Sequence, residues 1–214
     1  MKLLRVDASP KGEKSNSRML ANEFVAHIRG DFSDLEIDHL DLAEETPAHV
    51  TAAFAKATYT PASERTADMK ETLKASDALC ARLLAADALL FSMPMYNWSM
   101  PSSFKAYIDA IVRTDLTYGF TADGGTQGYL QQDKVLIITT RGANQGPGSP
   151  YAGMDALTPA LRAVFGFLGI ADPDIVNAEP MQFANPEERA AGLEKARASL
   201  RQVADKWAKQ REVA

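Results

Sequence analysis

The sequence predicts a doubly wound α/β fold, in which a parallel sheet of five strands carries helices on both faces. Segments with strand patterns alternate with helical patterns along the chain, which is typical of βαβ units. The segments 87–93 and 134–140 are continuously apolar, as central strands buried on both faces are. No second core or internal repeat is evident, so we expect residues 1–214 to form one domain.

The first half of the chain begins with a predicted strand at 2–8 and a predicted helix at 17–29, where apolar residues recur at helical spacing. Residues 35–42 alternate apolar and polar side chains, which predicts a strand near a sheet edge. The segment 44–65 has weak periodicity and contains two prolines. We expect it to be an excursion with a short helix inside, and such excursions usually cap a pocket or pack on another subunit. A longer helix is expected at 62–85.

The second half continues the same alternation. Residues 103–114 and 155–168 have helical patterns, and 174–178 form a short last strand. Between the first of these helices and the strand at 134–140, the segment 115–132 holds four glycines and predicts a loop or small hairpin. The last helix begins with Asn, Pro, Glu, Glu from Asn185 onward, which predicts a capping box.

The composition excludes several classes of function. Apolar residues make up 46% of the chain and charged residues 24%, as in ordinary globular proteins. The net charge is -5 and no block of lysines and arginines is present, so nucleic acid is not an expected partner. No segment has the pattern of a signal peptide or a membrane span, so we expect a cytoplasmic protein that does not bind membranes.

Single residues with reactive side chains are interpreted as structural. Cys80, the one cysteine, lies in an apolar run, and we interpret it as a buried thiol rather than a reactive one. His39 is interpreted as an exposed residue of the edge strand, away from chemistry. No metal-ligand pattern flanks these residues, so no metal is expected.

Three loops are expected where strands end, which is where open α/β sheets bind ligands. The first loop, residues 9–17, supplies three serine hydroxyls, an asparagine amide and the free N–H groups of a helix N-terminus. These groups suit a phosphate. The loop contains neither a Walker motif nor a dinucleotide fingerprint, which disfavours ATP and the usual NAD fold. A capped helix behind a solvated turn is the alternative interpretation.

The second and third loops suit a flat ring. Residues 93–102 read Met-Pro-Met-Tyr-Asn-Trp-Ser-Met-Pro-Ser, a stiff turn between two prolines whose side chains offer apolar faces and an amide. Ser102 is expected to cap the next helix. Residues 139–148 contain glycines that let backbone amides approach a ligand closely. Core packing for the second loop and a flexible surface loop for the third are the alternatives.

Together the three loops resemble the flavin loops of the FMN-dependent NADH:quinone oxidoreductases, also called NADH-azoreductases. The resemblance is carried by Ser-Pro at 9–10, Ser-Asn-Ser at 15–17, Met-Pro-Met-Tyr-Asn-Trp at 93–98 and Thr-Arg-Gly at 140–142, and the runs 117–121 and 165–170 are also similar to that family. The match covers the whole chain in order. It implies a flavodoxin-like fold with a five-stranded parallel sheet in the order 2-1-3-4-5.

The resemblance also implies a bound FMN and the residues that hold it. It assigns the FMN phosphate to Ser9, Ser15, Asn16 and Ser17, the isoalloxazine edge to Pro94, Met95, Tyr96, Asn97 and Trp98, and its pyrimidine side to Thr140, Arg141, Gly142 and Ala143. Asn97 is expected to polarise the flavin edge, without a dedicated acid or base. Trp98 stands where the family often has Phe, and Ala143 replaces a frequent second Gly. These departures and the distinctive loop 144–153 put acceptor choice and the preference between NADH and NADPH in doubt.

The implied activity is a ping-pong transfer of two electrons from NADH or NADPH to quinones and aromatic azo compounds. Tyr96, Trp98, Tyr118 and Phe120 are expected to shape the acceptor slot. Family members are homodimers with a shared active site, and the segment 44–65 with Tyr118 and Phe120 is the expected contact. The alternatives are a flavodoxin-type electron carrier, an NAD(P)H:FMN reductase and a flavin-free signalling domain.

Overall fold

The computed structural model describes residues 1–212 and contains, within that range, seven strands and six α-helices. The strands are β1 (Lys2–Asp7), β2 (Glu36–Asp41), β3 (Ala88–Pro94), β4 (Tyr118–Phe120), β5 (Thr126–Gly128), β6 (Lys134–Thr140) and β7 (Asp174–Ala178). The helices are α1 (Asn16–Ile28), α2 (Ala52–Tyr59), α3 (Ala67–Leu84), α4 (Ser102–Ile111), α5 (Leu157–Leu168) and α6 (Pro186–Glu212).

Five of the strands form one parallel sheet in the spatial order β2-β1-β3-β6-β7. The remaining pair, β4 and β5, is a separate antiparallel hairpin. Numbered without the hairpin, the sheet has the order 2-1-3-4-5 that the resemblance implied. The central strands β3 and β6 are almost entirely buried, because helices cover the sheet on both faces.

Two hydrophobic clusters lie on the two faces of the sheet. One contains apolar side chains of α3, α4 and α5, and the other contains those of α1 and α6. Along β1, Leu4 and Val6 point into the first cluster, whereas Leu3 points into the second. This alternation follows from the two-residue period of a strand and makes the fold doubly wound. None of the helices in the described range is long and apolar enough for a membrane crossing.

The helix starts confirm one prediction and correct another. Asn185 Oδ1 accepts from the Glu188 N–H at 2.9 Å, and Glu188 Oε2 accepts from the Asn185 N–H at 3.1 Å, so the capping box is present. The predicted cap by Ser102 is wrong, because α4 already begins at that residue. Pro101 occupies the N-cap position, with φ -57°, and no side chain caps the helix. The proline starts the helix one residue earlier than the serine would have done.

The excursion at 44–65 contains the expected short helix, α2, and it packs on a buried arginine from another part of the chain. Arg113 is 1% exposed and its guanidinium carbon lies 5.9 Å from the centre of the Phe54 ring. It also forms an ion pair with Asp77 of α3 at 2.9 Å. Arg113 therefore ties the excursion to the helix layer on this face of the sheet.

Candidate functional site

A cleft of about 830 Å³ opens at the edge of the sheet where the parallel strands end. This volume lies in the range of small-molecule sites. Ten sequence-predicted residues line it: Asn16, Pro94, Met95, Tyr96, Asn97, Trp98, Thr140, Arg141, Gly142 and Ala143. Eight further residues complete the lining: Lys11, Lys14, Gln145, Tyr151, Met181, Gln182, Phe183 and Arg189. The three predicted loops therefore meet at one cleft.

The first loop leads into α1 through a capped turn. Ser15 is the N-cap, and its hydroxyl oxygen accepts from the Arg18 N–H at 3.3 Å and lies 3.0 Å from Ser17 Oγ. The first helical N–H bonded to a backbone carbonyl of the turn belongs to Met19. The N–H groups of Asn16 and Ser17 consequently have no acceptor inside the helix and are available to an anion.

The serines themselves lie deeper than the sequence suggested. Ser9, Ser15 and Ser17 are each at most 4% exposed, and they do not line the cleft as Asn16 does. Lys11 and Lys14 line it instead, together with Asn16 at the N-terminus of α1. This end of the cleft is positively charged, which favours a phosphoryl group.

A buried arginine fixes the position of the first loop. Arg18 Nη2 donates to the Ser9 carbonyl oxygen at 2.7 Å, and the guanidinium forms two hydrogen bonds of 2.5 Å to Asp41. Hydrogen bonding to Asp41 raises the pKa of Arg18 above its usual value. Burial alone would raise the pKa of Asp41, but hydrogen bonds from Arg18 and from the Ala43 N–H hold it below its usual value. The pair therefore stays charged and holds the loop.

A fully buried carboxylate, Asp7, lies beneath this arginine. The Ser92 hydroxyl donates to Asp7 Oδ1 at 2.6 Å, and Arg5 Nη2 lies 2.8 Å from Asp7 Oδ2. His39 Nε2 is 2.9 Å from the same oxygen. The interpretation of His39 as a purely exposed residue is therefore incomplete, since its half-exposed ring pairs with a buried carboxylate. Sequence could not show this because the partner lies on a neighbouring strand.

The second loop contains a strained two-residue turn. The N–H of Tyr96 donates to the Ser99 carbonyl at 2.9 Å, and the N–H of Ser99 donates back to Tyr96 at 3.0 Å. Between them Asn97 has φ 47° and Trp98 has φ 71°. Asparagine tolerates this left-handed region, but tryptophan adopts it at a cost on the order of 1–3 kcal/mol. Such strain is often found where a protein binds a ligand.

Neighbouring segments hold the turn in place. The Met95 N–H donates to the Thr140 carbonyl at 2.8 Å, which joins the second loop to the third. The Ala156 N–H donates to the Trp98 carbonyl at 3.1 Å. The Trp98 ring stacks on Tyr151, with centroids 5.9 Å apart and planes inclined by 24°. The turn leaves the N–H groups of Asn97 and Trp98 outside its own hydrogen bonds, where a ligand can accept them.

The third loop is anchored by Arg141, whose side chain is buried and engaged in hydrogen bonds at the start of α5. Arg141 Nη1 donates to Asp155 at 2.9 Å, and Nη2 donates to the Thr158 hydroxyl at 2.6 Å. Burial alone would raise the pKa of Asp155, but hydrogen bonds from Thr158 and the nearby Arg141 charge lower it. The Arg141 N–H already donates to the Ala178 carbonyl at 3.0 Å, so a ligand contact of Arg141 is limited to its carbonyl oxygen, which also accepts from the Met181 N–H at 2.8 Å. Gly142 is also tightly packed, since a Cβ there would lie 3.2 Å from the Phe183 ring.

Gln145 was not predicted as a site residue, yet it carries an unpaired polar atom in the cleft wall. The residue is 8% exposed, and its Nε2 makes only a weak contact of 3.1 Å with Met95 Sδ. Its Oε1 is buried and has no hydrogen-bond partner in the described part of the chain. A buried carbonyl left unpaired costs about 1–3 kcal/mol. A rotation of the Gln145 side chain that brings Oε1 to the cleft surface would let it accept from an N–H at the edge of a flat ring, and the apolar Met95 suits the ring face.

Tyr118 and Phe120 lie outside the cleft. Their hairpin packs at the C-terminal end of α5, where a Cβ on Gly128 would fall 2.0 Å from the Leu168 backbone. The cleft is at the other end of this 12-residue helix, which is about 18 Å long. The two aromatic residues are thus about one helix length away from their own cleft. Their place in an acceptor slot stays a prediction that requires a second copy of the chain.

The cleft residues that sequence reasoning missed follow the last strand or lie at the rim. Met181, Gln182 and Phe183 come directly after β7, and Arg189 lies in the first turns of α6. The rule that ligands bind beyond the ends of parallel strands applies to β7 as well, so this signal was available. Tyr151 lies in the loop 144–153, which the sequence marked as distinctive without assigning any of its residues to the site.

The chain matches the family model described as a flavodoxin-like fold over residues 1–204. It is 41% identical to the FMN-dependent NADH:quinone oxidoreductase 1 of Trichormus variabilis, over 97% of this chain and 97% of that protein. It is 39% identical to the FMN-dependent NAD(P)H:quinone oxidoreductase 1 of Pseudomonas aeruginosa, over 83% and 86% of the two chains.

Solved structures agree on the fold. An azoreductase from Bacillus anthracis superposes with a TM-score of 0.83 at 22% identity, covering 98% of this chain and 99% of the other. An FMN-dependent NADH-azoreductase from the same species, solved in complex with FMN, gives a TM-score of 0.81 at 21% identity, with 95% and 100% coverage. At these identities the likeness establishes the fold alone.

Proposed function

The chain belongs to the family of the FMN-dependent NADH:quinone oxidoreductases, and on that premise we propose that it transfers two electrons from NADH or NADPH, through bound FMN, to quinones and aromatic azo compounds. The supporting observation is a single cleft that joins the N-terminus of α1 to a strained aromatic turn. The first suits a phosphoryl tail and the second suits a flat ring. The compartment is proposed to be the cytoplasm.

The chain offers a fitting set of groups for FMN. We assign the phosphate to the N–H groups of Asn16 and Ser17, with Ser9 and Ser15 shaping the turn and the two lysines at the rim adding charge. The ring edge is assigned to Pro94, Met95, Tyr96, Asn97 and Trp98, and the pyrimidine side to Thr140, Arg141, Gly142 and Ala143. Gln145 Oε1 supplies a free acceptor on the same side.

When bound, FMN supplies the redox chemistry, taking a hydride from the reduced nicotinamide and passing two electrons to the acceptor. The protein's part is to orient the flavin ring and to polarise its edge. The N–H groups of Asn97 and Trp98, which the turn does not use, would donate to the edge of the bound ring and stabilise the negative charge that develops there on reduction. Among the described residues, no carboxylate and no histidine lines the cleft.

A ping-pong sequence is proposed because one cleft serves both substrates. Tyr96, Trp98 and Tyr151 line the same cleft as the ring-binding loops, so we assign the nicotinamide and the acceptor to one stacking place beside them. The nicotinamide must then leave before the acceptor can stack at the same place. We further propose a homodimer in which Tyr118, Phe120 and the segment 44–65 of the second copy complete the slot. Phe120 is 70% exposed and lies 6.1 Å from the Tyr118 ring, so the two rings offer an aromatic surface to the second copy.

Two measurements test the proposal. The protein reconstituted with FMN should be yellow and should bleach on anaerobic titration with NADH, and menadione or an azo dye should restore the colour. Initial rates at several fixed quinone concentrations should give parallel double-reciprocal lines. The enzyme proposal is contradicted if the protein does not retain FMN. It is also contradicted if the bound flavin stays oxidised when NADH is added. Transfer only to a protein acceptor, one electron at a time, would favour the flavodoxin-type carrier.

A further inference from the structure

The loop at residues 144–156, which we call the covering loop, contains only a 3-10 turn at Ala152–Met154 and is hydrogen-bonded to other segments at both ends. At its start the Gln145 N–H donates to Glu179 Oε2 at 3.2 Å. At its end the Ala156 N–H donates to the carbonyl of Trp98 at 3.1 Å. The covering loop therefore connects the segment that follows the last strand with the aromatic turn.

Hydrogen bonds within the covering loop also define its shape. The Gly146 N–H donates to Asn144 Oδ1 at 2.8 Å, and the Ser149 hydroxyl donates to the Asn144 carbonyl. The Ala152 N–H donates to the Ser149 carbonyl at 3.1 Å. Between these bonds stands Tyr151, whose own N–H donates to Ser149 Oγ at 3.1 Å. The backbone around this tyrosine is thus set by the loop itself and does not depend on the ring contact.

The Tyr151 ring extends the aromatic surface of Trp98. Both rings line the cleft, and each remains about two-fifths exposed, at 40% and 38%. Their planes are 24° apart and their centroids 5.9 Å apart, so the rings are nearly parallel and offset rather than superimposed. Together they present a longer aromatic surface to the cleft than either ring alone.

We propose that Tyr151 is a specificity-determining residue that contacts the electron acceptor and favours acceptors with two or more fused or linked rings over single-ring quinones. A single ring placed beside the flavin site reaches Trp98 only. A second ring reaches Tyr151 and gains a further aromatic contact there. The inference rests on the proposed function for the identity of the acceptor, and on the geometry of the pair for the contact.

The test compares menadione, which has two rings, with 1,4-benzoquinone, which has one. In the FMN-loaded full-length protein, Tyr151→Ala should lower kcat/KM for menadione about 3- to 10-fold and leave that for 1,4-benzoquinone within about 2-fold, as expected for one lost aromatic contact. Tyr151→Phe keeps the ring and should match the wild type with both quinones. Met154→Ala is the matched control, since Met154 is an exposed apolar residue of the covering loop that does not line the cleft.

A binding measurement separates this inference from the proposed function. Menadione is titrated into the oxidised protein without NADH, and its Kd is read from the change in flavin absorbance. Tyr151→Leu, which keeps apolar bulk and guards against a folding defect in the alanine variant, should also raise that Kd about threefold or more. Equal losses with both quinones, or an unchanged menadione Kd in both variants, would overturn the inference. If the wild type binds menadione but reduces no quinone, the proposed function fails while the Kd comparison still decides the contact.

Discussion

Trp98 adopts a backbone conformation that tryptophan rarely takes, and two neighbours keep it there. Its φ is 71°, its carbonyl accepts from Ala156, and its ring stacks on Tyr151. The strain is maintained by contacts that come from a different part of the chain. At this scale, function depends on backbone geometry as much as on side-chain identity, and this can be tested at the adjacent asparagine.

Asn97→Gly and Asn97→Val should separate the backbone from the side chain of Asn97. Glycine accepts the φ of 47° without strain, so the turn and its two N–H groups should persist and the FMN Kd should stay within about 3-fold. Valine is β-branched and disfavours this region, so the FMN Kd should rise about tenfold or more. Flavin fluorescence quenching on titration of the apoprotein measures both. A large loss in the glycine variant would show that the Asn97 amide itself holds the ring.

Gln145→Leu should change stability and cofactor affinity in opposite directions. Without a ligand, the substitution removes a buried carbonyl that has no partner in the described chain, so the midpoint of urea unfolding of the apoprotein should stay level or rise. The FMN Kd should rise about 3- to 10-fold, because one hydrogen bond to the ring edge is lost. Gln145→Asn, which keeps the amide on a shorter side chain, is the control. A parallel fall in stability and affinity would instead indicate a packing role.

Cys80 is a residue whose character the sequence predicted correctly. It is 1% exposed, and burial raises the pKa of its thiol to about 11. The apolar run around it was sufficient evidence, because a thiolate surrounded by apolar side chains is not stabilised by solvent. Burial of this kind is a local property that neighbouring residues largely determine.

At the scale of elements, the N-terminus of α1 carries the proposed phosphate site, and its cap and its charge can be varied separately. Aspartate is as good an N-cap as serine, so Ser15→Asp should leave the unfolding midpoint of the apoprotein nearly unchanged. Its negative charge should raise the Kd for FMN about tenfold or more, while the Kd for riboflavin, which lacks the phosphate, should not change. Apoprotein fluorescence titrations with both flavins give the comparison.

Ser15→Asn is the matched control, because asparagine caps equally well without a charge. It should bind FMN much more tightly than the aspartate variant does. If the aspartate variant and the wild-type protein bound FMN with equal affinity, the phosphate could not be assigned to this end of α1. The proposed placement of the whole cofactor would then have no anchor.

Elements whose signal is local were predicted well, and those set by neighbours were predicted less well. The capping box at Asn185 and the central strands β3 and β6 follow from their own residues. The start of α3 was placed too early, because a 3-10 turn at Ala62–Glu64 precedes the Thr66 N-cap and looks helical in pattern. The role of the hairpin β4–β5 was not predictable, since packing against α5 decides where it lies.

At the scale of the whole molecule, ion pairs join elements that are far apart in the chain. Arg82 of α3 donates to Asp38 of β2 at 2.6 Å, and this hydrogen bond lowers the pKa of Asp38 below its ordinary value of 3.8. Arg197 of α6 donates to Glu23 of α1 at 2.8 Å and lowers the pKa of Glu23 in the same way. Each lowered pKa belongs to the folded state only, so it links folding to pH.

The free energy of unfolding should therefore be nearly constant near neutral pH and should fall in acid. A carboxyl whose folded pKa is depressed stabilises the fold above its unfolded pKa, near 3.8 for Asp38, and this stabilisation is lost as pH falls through the folded value. Urea unfolding from about pH 7 to about pH 3 measures the decline. In Asp38→Asn the protein should be less stable at neutral pH, and the difference from wild type should shrink in acid. A difference that is independent of pH would show that the ion pair does not contribute through charge.

The sequence by itself determined the order of strands and helices, the burial of the central sheet and the meeting of three loops at one edge. These features follow from hydrophobic periodicity and from turn residues, which act over a few neighbouring positions. Only the tertiary structure decided which polar groups pair: Asp7 with His39, Arg141 with Asp155, and Gln145 beside Met95 with one oxygen left free. Periodicity in the sequence determines which face of its element each side chain occupies. The partner of that side chain on another element is selected by packing in three dimensions, and the chemistry of the cleft depends on those partners.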